Sequence, residues 1–142
     1  MRQGMVAAFA AGMLFVAGAA EAADELFTTQ MNGAAETPPN PSKGAGEVAA
    51  TLDTATKTLT WKIQFSGLSG PATMAHFHGP AEPGVAGPVA VPIMGAMSSP
   101  LMGSAMLTDA QIADLEAGRW YVNVHTAQYP KGEIRGQLAK AH

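Results

Sequence analysis

Two histidines stand two residues apart in Ala75-His76-Phe77-His78-Gly79-Pro80. In an extended chain both imidazoles leave the same side of the backbone, with α-carbons about 6.5 to 7 Å apart. Two such rings can lean onto one metal ion at bonds of about 2 Å. A third ring must come from elsewhere. His125, in Trp120-Tyr121-Val122-Asn123-Val124-His125-Thr126, has the matching parity in its own run. The fourth histidine, His142, is the last residue. Three imidazoles suit copper, zinc, nickel or iron, and the order of affinities favours copper, with zinc as the alternative. The remaining ring nitrogens need partners, for which Asn123, Glu133, Gln137 and Tyr129 are candidates. The competing reading is a set of rim histidines that hydrogen-bond loop backbone and hold the glycine-proline loop after His78.

Thioethers offer a second, weaker ligand set. Met94, Met97, Met102 and Met106 crowd one segment, and Met74 precedes the histidine pair. Soft sulfur suits Cu(I), although methionine also fills irregular gaps under long loops. The chain has no cysteine, which excludes disulfides, thiolate metal sites and cysteine-anchored haem or iron–sulfur clusters. Glu36, Glu47, Glu82, Asp109 and Glu133 show no paired spacing for acid–base catalysis. Glu133 with Arg135 reads as a surface strand pair, and Arg135 with Glu47 or Asp53 as a cross-strand one. No nucleophile elbow, phosphate loop or dinucleotide motif is present. No catalytic residue and no organic cofactor are therefore assigned.

These residues need strands to place them. Val48, Ala50 and Leu52 alternate with Glu47, Ala49, Thr51 and Asp53 over Gly46 to Asp53. After a turn at Thr54–Lys57, Leu59, Trp61, Ile63 and Phe65 alternate with polar residues over Thr58 to Ser66. Period two predicts an antiparallel hairpin with one buried face. Further strands are expected at Glu25–Gln30, Thr73–His78, Pro88–Ile93, Arg119–Thr126 and Glu133–Leu138. Phe77 is expected inward and the histidines outward or at the rim. Ile134, Gly136 and Leu138 are expected inward, with Glu133, Arg135 and Gln137 outward. The prolines at 38, 39 and 41 and the run Gly79–Gly87 predict surface loops, and Met94–Met106 a loop ending in a short strand. Thr108-Asp109-Ala110-Gln111 is a capping-box pattern that opens a helix over Asp109–Ala117, closed by Gly118. The fold class is all-β: a Greek-key β-sandwich, immunoglobulin-like or superoxide-dismutase-like, with one short helix.

Residues 1–22 read as a secretory signal peptide. Arg2 is followed by an apolar run to Ala17 and an Ala20-Glu21-Ala22 cleavage pattern. Residues 23–142 are expected to form one sandwich domain, periplasmic or secreted, with no stable membrane insertion after cleavage. Formal charge is −3 and charged residues make up 13%. No basic stripe is present for nucleic acid. Unpaired edge strands are compatible with a monomer or a homodimer.

The chain resembles the CHRD (chordin-type) domain family. The likeness runs through Leu59-Thr60-Trp61, Gly67-Leu68, Ala75-His76-Phe77-His78-Gly79-Pro80-Ala81 and Gly87-Pro88-Val89. It continues through Leu107-Thr108, Leu115 to Gly118 and Trp120 to Thr126, and ends in Gly132-Glu133-Ile134-Arg135-Gly136-Gln137-Leu138. The resemblance implies a β-sandwich outside the cytoplasm, of a kind found in bacterial exported proteins. The site alone is similar to copper–zinc superoxide dismutases, which also carry a His-x-His strand in a Greek-key fold. This chain has no histidine- and aspartate-rich zinc loop, no disulfide and no fourth copper histidine. Three function classes follow: a metal-binding protein, a protein- or glycan-interaction module without metal, and a copper enzyme disproportionating superoxide. The interaction module would present an exposed patch, Tyr121 and Tyr129 beside the Pro38–Pro41 loop.

Overall fold

The computed structural model describes Gly12 and residues 23–142. The expected signal segment therefore lies, Gly12 apart, outside the described residues. Among the described residues no helix is long and apolar enough to cross a membrane.

The alternating run predicted from period two forms the most regular part of the fold. Strands β2 (Ala45–Asp53) and β3 (Thr58–Ser66) pair antiparallel from Ala45↔Ser66 to Asp53↔Thr58. Asp53 Oδ1 ties the turn by accepting from Ala55 N at 2.9 Å and Thr56 N at 3.1 Å. Strand β1 (Asp24–Asn32) flanks β2, and β6 (Leu101–Met106) flanks β3. The inward positions Phe27, Met31, Val48, Ala50, Leu52, Leu59, Trp61, Ile63 and Leu101 are all buried.

The other half of the sheet carries the histidines. It runs β5 (Val89–Pro92), β4 (Ala72–His78), β7 (Tyr121–Thr126), β8 (Ile134–Gln137). A single bridge, Asn32↔Arg135, joins β8 to β1, and a short β9 (Ala139–Lys140) also pairs with β1. The sheet thus bends over on itself into a sandwich closed along one side. The chain crosses between the halves from β3 to β4, from β5 to β6 and from β6 to β7, in Greek-key fashion. Phe77 meets Trp61 across the core edge-on, ring centroids 5.1 Å apart, and Trp120 lies 5.9 Å from Phe77. Burying such rings removes roughly 150–250 Å² each from water, which is how a chain without disulfides holds two layers together.

The helix α1 (Asp109–Glu116) lies on the β6-to-β7 crossover. Thr108 Oγ1 accepts from Gln111 N at 3.1 Å and Gln111 Oε1 accepts from Thr108 N at 2.9 Å, the reciprocal capping box expected. Leu107 and Leu115 anchor it in the core. Gly118 leaves it with φ +73°, and Arg119 N returns to Asp114 O at 2.9 Å.

Outside β4, β7 and β8 lies a third layer made of loops. The 3-10 turn Gly33–Ala35 and the proline segment after it fold over β8. The loop after His78 is pinned by Gly79 N to Pro88 O at 3.0 Å and Ala81 N to Arg119 O at 2.9 Å. This cover overturns part of the sequence reading. Glu133 and Arg135, expected outward as a surface pair, are 0% and 1% exposed. Among the described residues neither forms an ion pair, and Arg135 reaches neither Glu47 nor Asp53. Tyr121, expected in an exposed patch, is 3% exposed. The polar side of these strands faces an inner compartment under the loops instead of solvent.

Candidate metal centre

The register between β4 and β7 brings the histidines together. His76 lies opposite Asn123, Met74 opposite His125, and His78 opposite Tyr121. These six residues share the face away from Phe77, Val122 and Val124. His78 and His125 are buried and His76 is half-buried. Ring centroids of His76 lie 5.4 Å from His78 and 4.9 Å from His125, nearly perpendicular in both cases. One nitrogen from each ring lies within 4.8 Å of the other two, and His76 Nδ1 is 3.1 Å from His125 Nε2. Nitrogens on a common ion at bonds of about 2.0–2.1 Å are about 2.9 Å apart at a right angle and about 3.3 Å at the tetrahedral angle. One pair already has that spacing. The widest needs a shift on the order of 1.5 Å, within reach of imidazole rotation.

The far sides of two rings are fixed by backbone. His78 Nδ1 donates to Gly87 O at 3.0 Å and His125 Nδ1 to Pro130 O at 2.9 Å. A carbonyl only accepts, so each neutral ring keeps its single N–H there and presents the Nε2 lone pair to the cluster. Backbone carbonyls commonly hold metal-binding histidines in this way. His78 also stacks flat on Tyr121, centroids 4.6 Å apart, and the Arg135 guanidinium covers the other side of Tyr121 at 3.5 Å. Tyr121 Oη accepts from Gly87 N at 3.0 Å, so the carbonyl that orients His78 is itself anchored. Burial holds the pKa of His76 below the usual imidazole value, with His125 and His78 adding to the effect. Burial also lowers that of His78, against the raising influence of Gly87 and Asn123, while His125 and Arg135 lower it further. Both rings therefore stay neutral, and able to bind a metal, to lower pH than a free imidazole.

Of the expected supporting residues, Asn123 sits in the cluster, its Oδ1 2.9 Å from His78 Nε2 and 3.0 Å from His125 Nε2. Glu133 and Gln137 support the loops instead. Glu133 accepts from Ser42, Ser69 and Thr126. Gln137 donates to Ala81 O at 2.8 Å and Gly118 O at 3.0 Å. Tyr129 contributes backbone to the β7–β8 turn through Gly132 N to Tyr129 O at 3.0 Å. Sequence reasoning missed Tyr121, Gly87 and Pro130 as ring-positioning groups. Tyr121 could have been found, because it shares the parity of His125.

The methionines disperse. Met74 shares the histidine face and is 49% exposed. Met102 and Met106 lie on β6 opposite Lys62 and Thr58, on the outer side of the other half-sheet. Met94 is 78% exposed and Met97 packs against the core.

Glu36 is buried near Asn123, and burial raises its pKa against the lowering influence of Thr37 N–H, Asn123 and Arg135. On the outer side of this region a cleft of about 270 Å³ is lined by Pro38, Pro39, Tyr129 and Pro130 among others.

No curated protein and no solved structure matches this chain. The family model of the CHRD domain matches residues 27–138. That span runs from Phe27 in β1 to Leu138 beyond β8 and takes in all three clustered histidines, and the chain belongs to the CHRD domain family.

Proposed function

We propose that this protein binds one transition-metal ion outside the cytoplasm through His76, His78 and His125, copper by affinity order and zinc as the alternative. The observation that carries the reading is the orientation of His78 and His125. Their Nδ1 protons are spent on Gly87 O and Pro130 O, so both Nε2 lone pairs turn into the cluster, that of His125 toward His76 and both toward Asn123 Oδ1. Rim histidines serving only to hold a loop would need one such bond each. They would not need three rings to gather around a common point with their free nitrogens inward. A bound ion would supply positive charge and an acceptor for three lone pairs; the protein supplies their fixed directions. Export rests on the N-terminal signal pattern.

The test is metal analysis of protein purified without an affinity tag, followed by titration with Cu(II), Cu(I) and Zn(II). About one ion per chain is expected, and His78→Ala should weaken binding by about a hundredfold or more. Wild-type affinity in His78→Ala would overturn the three-histidine reading. The second reading, an interaction module for an extracytoplasmic protein or glycan, draws on the cleft beside Tyr129 and the proline loop. It predicts no stoichiometric metal in the same analysis.

A further inference from the structure

Asn123 is the residue at the centre of the cluster. It is 3% exposed and stands between His76 on β4 and Arg135 on β8. Its Oδ1 is 2.9 Å from His78 Nε2 and 3.0 Å from His125 Nε2. Neither nitrogen has a proton to give in the neutral ring, because each ring's N–H is committed to a backbone carbonyl. Three lone-pair atoms therefore face one another at hydrogen-bond distance with no hydrogen between them. His76 Nδ1, 3.1 Å from His125 Nε2, is a fourth donor atom at the same place. Separations of 2.9–3.1 Å are the spacings of neighbouring ligands on a first-row dication with bonds of about 2.0–2.2 Å.

Behind the amide lies Glu36, whose Oε1 is buried with no hydrogen-bond partner among the described residues. Glu36 Oε1 and Asn123 Nδ2 both crowd the position a Cβ on Gly132 would take, Nδ2 at 2.7 Å. An ionised carboxylate accepts and does not donate. It favours the NH₂ end of the amide on its own side and leaves the carbonyl oxygen for the rings.

We infer that, resting on the three-histidine site proposed above, Asn123 Oδ1 is the fourth ligand of that site, and that this oxygen selects a divalent ion, Cu(II) or Zn(II), over Cu(I). An amide oxygen is a hard donor, whereas Cu(I) is held best by soft sulfur. The set becomes three nitrogens and one oxygen.

The experiment compares the full chain with Asn123→Ala and Asn123→Asp in titrations with Zn(II), Cu(II) and Cu(I). Asn123→Ala should weaken both divalent ions about ten- to a hundredfold and change Cu(I) affinity by less than about threefold. Asn123→Asp keeps an oxygen and should bind the divalent ions at least as tightly as wild type. A measurement on the unaltered chain guards against variants that misfold. With ¹³C at the asparagine side-chain carbonyls, Zn(II) should move one infrared band to lower frequency. Divalent affinity in Asn123→Ala equal to wild type, an Asp variant as weak as the Ala variant, or an unmoved band would each overturn the oxygen ligand while leaving the three histidines standing. A wild-type chain that binds neither Zn(II) nor Cu(II) would overturn the histidine site itself, and this inference with it.

Discussion

Replacing Glu133 tests whether the loop layer, and not the hydrophobic core, sets the geometry of the histidines. Its carboxylate is fully buried, with no ion pair among the described residues. It accepts from Ser42 Oγ at 2.8 Å, Thr126 Oγ1 at 2.7 Å and Ser69 N at 2.9 Å, and from the Ser69 hydroxyl as well. Burial alone would raise its pKa. The Ser69, Thr126 and Ser42 hydroxyls and the Ser69 N–H outweigh burial and hold it below the ordinary carboxylate range. In Glu133→Gln the amide oxygen can still take the Ser69 N–H and the Ser42 hydroxyl. The NH₂ can donate to Ser69 and Thr126 once their hydroxyls rotate. What is lost is the charge: a hydrogen bond to a charged acceptor contributes about 1.5–3 kcal/mol against about 1 for a neutral one. Part of that difference is offset by relief of the buried charge, leaving a net loss of about 1–3 kcal/mol at pH 7. Glu133→Ala leaves the Ser69 N–H without a partner and should cost about 3–5 kcal/mol.

The pH dependence gives the sign. A carboxylate with a depressed folded pKa stabilises fully above its unfolded value of about 4.3, and that contribution fades as pH falls toward the folded value. Urea denaturation of wild type and Glu133→Gln from pH 7 to pH 2.5 should show a gap that is constant down to about pH 5 and then closes, by at most about 1.4 kcal/mol per pH unit. No gap at pH 7, or one undiminished at pH 2.5, would refute the reasoning. The turn that Glu133 braces also carries Pro130 O, the partner of His125 Nδ1. Glu133→Ala should accordingly lower metal affinity more than Glu133→Gln does.

Four other outcomes follow from the same geometry. Metal affinity should be level above about pH 6.5 and fall below it, later than for a free imidazole, because burial keeps His76 and His78 neutral; calorimetric titration across pH 5–8 reads this. Apo stability should decline over the same acidic range, since the unfolded chain takes up protons first. Gly132→Ala places a Cβ at φ +126° against Glu36 Oε1 and Asn123 Nδ2, and should cost about 2–4 kcal/mol in chemical denaturation. Changing Met94, Met97, Met102 and Met106 together to Leu should leave Cu(II) and Zn(II) affinity unchanged in the same titration, because none of them shares the histidine face.

The parts of the fold written in local pattern were legible. The β2–β3 hairpin follows from alternation, and the strand β3 has the bounds Thr58–Ser66 expected of it. The helix follows from its capping box and ends one residue before the expected Ala117. The parity of His76, His78 and His125 was also readable, since a strand's period assigns each residue a side. Which strands neighbour each other was not readable. β4 and β7 are separated by β5, β6 and α1, and no local signal encodes that pairing. The second failure has a different cause. Glu133, Arg135 and Tyr121 alternate with apolar residues as solvent-facing side chains would. Only the return of the proline loop and of the loop after His78 over that side buries them. Period two distinguishes the faces of a strand but carries no information about what covers each one.

That covered polar face is where the three histidines of this CHRD domain gather. A buried imidazole needs a neighbour that fixes its tautomer, and the strands alone supply none on this side, because their backbone groups are used in the sheet ladders. The carbonyls come from loops: Gly87 from the segment after β4, Pro130 from the β7–β8 turn. Those loops hold their places through buried polar groups, Tyr121 Oη for Gly87 and the Glu133 hydroxyl set for the turn. Tyr121 holds Gly87 directly, Arg135 acts through Tyr121, and Glu133 braces the turn that carries Pro130 through Thr126 and Tyr129 N. Arg135, stacked on Tyr121 and donating to Glu82 O at 3.3 Å, shows that the chain accepts the cost of burying a charge to keep that face fixed.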